Sequence, residues 1–75
     1  MKFDKHGNGH GLDDLYCLPE TEKEKNLLVS WLRAKERGFT ISWANVEGHE
    51  WYGKSFIEIP FGENLRTEIE NKVIK

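Results

Sequence analysis

The hydrophobic pattern of this chain changes its period at Gly38. Before Gly38, in residues 20–37, apolar side chains recur at every third or fourth position, which is typical of a helix with one buried face. After it, in FTISWANV, Phe39, Ile41 and Trp43 alternate with small or polar side chains, which is typical of a half-buried strand. A helix that leads into strands predicts an α+β domain.

Both ends of the predicted helix carry residues that usually define helix ends. Thr21 is a suitable N-cap, and Glu24 three residues later completes a capping box. Acidic side chains crowd the start and basic side chains crowd the end, which complements the helix dipole. We expect Gly38 to supply the left-handed residue that stops the helix.

The alternating segment is followed by a second one, over about residues 50–59. If residues 47–49 form a three-residue loop, Phe39 lies opposite Ile57 and the apolar positions of both strands share one face. Pro60 then ends the second strand, since proline has no N–H for the ladder. The pattern predicts a two-stranded β-hairpin.

The C-terminal tail has apolar residues four positions apart. Leu65, Ile69 and Val73 follow this spacing, so we expect a short amphipathic helix. We therefore predict a single α+β domain over residues 1–75, arranged as helix–β-hairpin–helix.

The N-terminal region is less regular. Its glycine-rich first part, residues 1–11, is expected either to be mobile or to provide a short edge strand at residues 1–5. The segment LDDLYCLP, residues 12–19, predicts a single helical turn or packed coil that ends at its proline.

Size and charge exclude several classes of function. A chain of 75 residues buries only about 60% of the surface that it exposes when unfolded. The formal net charge of −2 provides no general attraction for nucleic acid or anionic membranes. Cys17 is the single cysteine, which excludes an intramolecular disulfide, and no apolar run is long enough to span a membrane. We expect a cytoplasmic protein.

Residues 48–55, GHEWYGKS, match the pattern G-x-x-x-x-G-K-[ST] of a phosphate-binding loop. In such a loop a helix follows directly, and its first N–H groups hold the phosphate. Here FIEIP follows, which is typical of a strand that ends in proline. We therefore expect no nucleotide binding and interpret the segment as part of the hairpin.

The residue types that zinc prefers occur at four places, His6, His10, Cys17 and His49. Their spacing fits no structural zinc pattern, and one cysteine is fewer than such sites usually contain. An enzyme would use Cys17 as nucleophile with one of these histidines as base, but nothing in the sequence fixes their geometry. We expect no metal, no cofactor and no catalytic site, with Cys17 as a small buried thiol.

The predicted sheet is the main indication of function. Two strands leave two open edges and are marginally stable alone, which favours a protein partner. That partner would be another protein or a second copy of the chain, bound through the sheet edge or the hairpin face. The candidate binding residues are Trp51, Tyr52, Lys54 and Phe56. Alternatively, Tyr52 and Phe56 pack under the glycine-rich loop, residues 6–11, and under residues 12–18.

Short acidic chains without a recognisable site are typical of small regulatory or inhibitory proteins, including those of bacteriophages. We expect such a protein-binding module. The alternative is a nucleic-acid-binding module, in which the hairpin aromatics stack on bases and cations contact phosphates. Those cations are Lys54 and the basic end of the first helix, Arg33, Lys35 and Arg37.

Overall fold

The computed structural model describes residues 1–7, 9 and 11–74. In this part of the chain four antiparallel strands form one sheet in the order β1-β2-β4-β3. The strands are β1 (Lys2–His6), β2 (Asp14–Leu18), β3 (Thr40–Trp43) and β4 (Ser55–Ile59). Helix α1 (Glu22–Ala34) connects β2 to β3, so the predicted α+β class is confirmed.

The chain ends in a helical segment, residues 63–74. It consists of a 3₁₀ turn (Glu63–Leu65), the short helix α2 (Arg66–Ile69) and a wider π-helical turn (Glu70–Ile74). The predicted C-terminal helix is therefore present, although its winding is irregular. Two of its apolar residues, Ile69 and Val73, lie four positions apart and are both buried in the core, as the spacing predicts.

The predicted helix–β-hairpin–helix arrangement is wrong, because the sheet has four strands and the hairpin supplies only two of them. Residues 12–19 contain the central strand β2 and not a helical turn or coil. Leu15 and Cys17, two positions apart, are completely buried, which is the period of a strand. β2 pairs on one side with β1 and on the other with β4, and these ladders override the weak helical spacing of its leucines.

The N-terminal segment supplies an edge strand, which was one of the two expectations for it. β1 spans Lys2–His6 and pairs along its whole length with β2. The N-terminal ammonium group of Met1, just before β1, lies 3.1 Å from the Glu24 carboxylate at the start of α1. Asn8 and His10 of the glycine-rich segment lie outside the described residues.

Helix α1 begins as the sequence predicts. The Thr21 hydroxyl accepts a hydrogen bond from the Glu24 N–H, and the Glu24 carboxylate accepts one from the Glu20 N–H. In the usual capping box, the glutamate accepts a hydrogen bond from the N–H of the N-cap residue. Here Glu24 accepts it from Glu20, the residue before the N-cap.

The left-handed residue that follows the helix is Glu36, whereas the sequence predicted Gly38. Glu36 has a φ of 55°, in the left-handed region that normally favours glycine. The Arg37 N–H donates to the Leu32 carbonyl and the Glu36 N–H donates to the Arg33 carbonyl, which is a Schellman motif. Burial of Leu32 in the core fixes the last turn and leaves Glu36 at the strained position.

Replacing Glu36 with glycine should stabilise the chain by about 0.5–1 kcal/mol relative to Glu36→Ala. Both variants remove the same carboxylate from the negative end of the helix dipole, so their difference isolates the backbone conformation. Urea unfolding followed by circular dichroism measures it. Equal stability of the two variants would contradict the left-handed assignment.

The core lies between one face of the sheet, here called the helix face, and the helices. Its buried side chains come from the two central strands and from both helical segments. They are Leu15 and Cys17 of β2, Ile57 and Ile59 of β4, Leu28 and Leu32 of α1, and Ile69 and Val73 of the C-terminal segment. Phe3 of β1 packs at the margin of this cluster, with the Arg66 guanidinium over its ring.

The β3–β4 hairpin is confirmed, but its register is shifted by two residues and its loop is longer. Ile41 lies opposite Ile57, where the predicted register paired Phe39 with Ile57. Since the shift is even, the apolar side chains of both strands still share the helix face. The second strand starts at Ser55 and not near residue 50, because residues 45–53 form successive turns in which Gly48 and Gly53 have positive φ.

Gly62 allows the chain to pass close to the core after β4. A β-carbon at this position would meet the Ile59 side chain at 2.7 Å and the Ile59 carbonyl oxygen at 2.9 Å. Ile59 is completely buried, so it cannot move aside without disturbing the core.

Gly62→Ala should therefore destabilise the chain by about 1–3 kcal/mol, the usual cost of overpacking. Gly38→Ala is the matched control, since a β-carbon there meets nothing within 4 Å. We expect the control to be neutral or slightly stabilising in the same denaturation experiment. A neutral Gly62→Ala would contradict the close approach.

Candidate functional site

The helices leave one strand of the sheet uncovered. The side chains of Ile41 and Trp43 lie on the helix face, in line with the buried Ile57, yet they are 51% and 63% exposed. The C-terminal segment sits towards the opposite edge, where Arg66 covers Phe3 and Glu63 pairs with Lys5 of β1. The helical layer is therefore displaced towards β1, and β3 projects beyond it.

The two edges of the sheet differ in chemistry. β1 carries Lys2, Asp4 and Lys5, and charged edge strands resist pairing with other chains. β3, with the sequence TISW, carries no charge and no proline. The β3 edge thus lacks the usual protection against pairing.

The backbone of β3 also has N–H and C=O groups along the edge that does not pair with β4. The Ala44 N–H donates to the Lys54 carbonyl, which continues the β3–β4 ladder. Because bonded and non-bonded residues alternate along an antiparallel strand, the N–H and C=O groups of Ile41 and Trp43 point away from β4. Beside the exposed side chains, the edge therefore presents free donors and acceptors.

The other face of the sheet, here called the open face, carries a row of rings that contact one another. The Tyr16 ring lies 5.3 Å from the His6 ring and 5.0 Å from the Phe56 ring, measured between centroids. The row continues from Phe56 to Trp51 at 5.9 Å and from Trp51 to His49 at 5.8 Å. Trp51 and His49 belong to the β3–β4 loop, so this loop folds back over the open face.

The four predicted binding residues do not form one exposed patch. Trp51 is 3% exposed and packs on the half-buried Phe56, while Tyr52 is 52% exposed and Lys54 is also exposed. The shifted register and longer loop explain the difference, because Trp51 and Tyr52 lie in turns and not in a strand. The alternative packing of Phe56 against residues 12–18 is present as its contact with Tyr16, whereas Tyr52 faces solvent.

Between the loop and the ring row lies a cleft of about 220 Å³, here called the aromatic cleft. Rings, one carboxylate and residues 43–46 at the end of β3 line it. The side chains concerned are Tyr16, Trp51, Phe56, His6, His49 and Asp4. Sequence reasoning missed Asp4 and Tyr16 as site residues, because their common face depends on the β1–β2 register, which places Asp4 opposite Tyr16.

The surroundings of the Tyr16 hydroxyl are acidic. Burial raises the pKa of Tyr16, and a hydrogen bond with the Glu58 carboxylate and the charges of Glu58, Asp14 and Asp4 raise it further. The Glu58 carboxylate also accepts a hydrogen bond from the Ser42 hydroxyl of β3. Carboxylates are thus grouped around the centre of the open face.

The segment that resembles a phosphate-binding loop forms the end of the hairpin loop. Ser55 begins β4, so a strand follows the segment, as the sequence predicted, and no helix start lies there. The geometry does not supply the N–H groups on which phosphate binding by such loops depends.

Cys17 and His6 lie on opposite faces of the sheet. Cys17 is completely buried on the helix face, and burial raises its pKa to about 12, which suppresses the thiolate. His6 stacks on the open face, and His10 lies outside the described residues. Within residues 1–7, 9 and 11–74, no group of three or more His, Cys, Asp or Glu residues is arranged to hold a metal ion.

No protein-family model, curated protein or solved structure matches this chain. None of the helices in the described part of the chain is long and apolar enough to cross a membrane.

Two adjacent residues of the loop should respond very differently to truncation. Trp51→Ala removes a buried ring and should cost about 3–5 kcal/mol of unfolding free energy, whereas Tyr52→Ala should change it by less than about 0.5 kcal/mol. Chemical denaturation of the two variants tests this contrast. A large loss for Tyr52→Ala, or none for Trp51→Ala, would show that the loop is arranged differently.

Proposed function

We propose that this chain is a small regulatory or inhibitory module that binds another protein by accepting one of its strands at β3. The observation that carries the proposal is the edge itself, which is uncharged, lies outside the helical layer and exposes Ile41 and Trp43. Strand addition to an open sheet edge is a common mode of protein recognition.

Backbone hydrogen bonds and side-chain contacts would both contribute to binding at this edge. A partner strand would form backbone hydrogen bonds with the outward N–H and C=O groups of Ile41 and Trp43. Its side chains on the helix face would cover the exposed parts of the same two residues, and a fully buried apolar side chain contributes about 1.5–3 kcal/mol. Tryptophan is among the residues that most often dominate interface energies.

A stable interface needs more area than a four-residue strand supplies, about 1,000 Å² or more in total. The exposed Val46 and Tyr52 of the adjoining loop extend the apolar surface beyond the end of β3. We therefore expect the partner to contact the loop as well as the strand.

The geometry gives the nucleic-acid alternative little support. Helix α1 packs on the helix face, so its basic end and the ring row lie on opposite sides of the sheet. Lys35 pairs with Glu68, and the Arg37 guanidinium donates to the Pro60 carbonyl. The carboxylates around Tyr16 would repel phosphates.

Ile41→Lys tests the proposal, because a lysine on an edge strand opposes pairing without removing a buried side chain. Random displayed peptides of about ten residues, a usual strand length, would be selected on the native chain. We expect Ile41→Lys to weaken the selected peptides about tenfold or more, which is the loss of one well-packed aliphatic contact.

Leu27→Lys is the matched control, since Leu27 is 46% exposed but lies on α1, away from the edge. This control should leave the peptide affinities unchanged within about twofold. Peptides that bind Ile41→Lys as tightly as the native chain would contradict the proposal. Circular dichroism should show that both variants remain folded.

A second copy of the chain could occupy the same edge. Sedimentation of the native chain and of Ile41→Lys separates the two cases. Self-association that the lysine abolishes would identify the partner strand as β3 of another copy, whereas a native monomer leaves the edge free for a different protein.

A further inference from the structure

The aromatic cleft has the dimensions of a site for one side chain. Its volume of about 220 Å³ is below the roughly 300–1,000 Å³ typical of sites for small-molecule ligands. Its floor is formed by Tyr16 and Phe56, and Trp51 of the loop closes one side. An occupant would therefore be a single extended group that contacts several ring faces.

The carboxylates at the cleft favour a positively charged occupant. Asp4 lines it directly, and Glu58 and Asp14 act electrostatically on the Tyr16 hydroxyl. Among the described residues that line the cleft there is no lysine or arginine. Ring faces carry partial negative charge, so carboxylates and rings together favour a cation.

A guanidinium fits this combination better than an ammonium group. It is planar, stacks on aromatic faces, is less strongly hydrated and donates in parallel to a carboxylate. The chain uses a similar contact elsewhere, since the Arg66 guanidinium lies 5.0 Å from the centroid of the Phe3 ring.

The cleft adjoins the proposed pairing edge. Trp43, the last residue of β3, and the following residues up to Val46 line it. A segment that pairs with β3 and continues past Trp43 would therefore reach the end of the cleft formed by residues 43–46, and an arginine side chain would extend from there into the cleft towards Asp4 of β1.

Resting on the strand-pairing function proposed above, we infer that the aromatic cleft binds the guanidinium of an arginine that the partner segment carries just beyond the strand paired with β3. Asp4 forms the ion pair, and Tyr16, Phe56 and Trp51 provide the ring contacts. The partner segment is thus basic as well as extended.

The isolated site can be tested without the partner. The probe is N-acetyl-arginine N-methylamide, and its citrulline analogue has nearly the same shape without the charge. Titration is followed by the NMR signals of the Trp51 indole N–H group and of the Tyr16 ring. We expect saturable shifts with the arginine probe at a Kd on the order of 10 mM. The citrulline probe should bind at least about fivefold more weakly.

Asp4→Asn tests the ion pair. Asp4 is exposed on an edge strand, so the variant should stay folded, and the arginine probe should bind about two- to fivefold more weakly to it. Glu36→Gln removes a carboxylate at the far end of α1 and is the matched control, with no expected change in Kd.

Three results would overturn the inference: no saturable shift with the arginine probe, equal binding of the citrulline probe, or unchanged binding to Asp4→Asn. Equal binding of the corresponding lysine probe would overturn the assignment to a guanidinium. If the probe fails while selected peptides remain sensitive to Ile41→Lys, the arginine site is wrong and strand pairing stands. If that sensitivity is also absent, the proposed function fails as well.

Discussion

The position of the helical layer on the sheet determines what the rest of this molecule exposes. α1 and the C-terminal segment bury Leu15 and Cys17 of β2 and Ile57 and Ile59 of β4, and they shield Phe3 of β1 in part. Their displacement towards β1 leaves β3 paired on one side and uncovered on its helix face. The functional proposal depends on this offset, since a layer centred on the sheet would have buried Ile41 and Trp43.

The hairpin loop, and not a helix, covers part of the open face. The Trp51 ring packs on Phe56, and the backbone N–H of Trp51 donates to Nδ1 of His49, which holds the turn in place. The same loop conformation forms the aromatic cleft beside the end of β3. The loop therefore buries its own Trp51 ring against the sheet and also forms a wall of the candidate site.

The sequence predicted the elements whose signals are local. Helix α1, its Thr21 cap and the parity of the hairpin strands follow from spacing and capping chemistry, and the structure confirms them. β2 was missed because five residues with two leucines three apart suit a helical turn as well as a strand, and pairing with β1 and β4 decides between them. The inferred need for a partner rested on a two-stranded sheet, which is wrong, while Trp43 and Tyr52 remain exposed. The cleft depends on contacts between distant segments, which no local pattern indicates.

Residue-resolved amide hydrogen exchange along β3 tests the central claim most directly. In the free chain, the Ser42 and Ala44 N–H groups should be protected by β4, while those of Ile41 and Trp43 should exchange close to the rate of an unprotected amide. Addition of a bound peptide strand should then protect Ile41 and Trp43 selectively. Protection of these two amides in the free monomer, or none after the peptide is bound, would contradict an open edge that pairs with a partner.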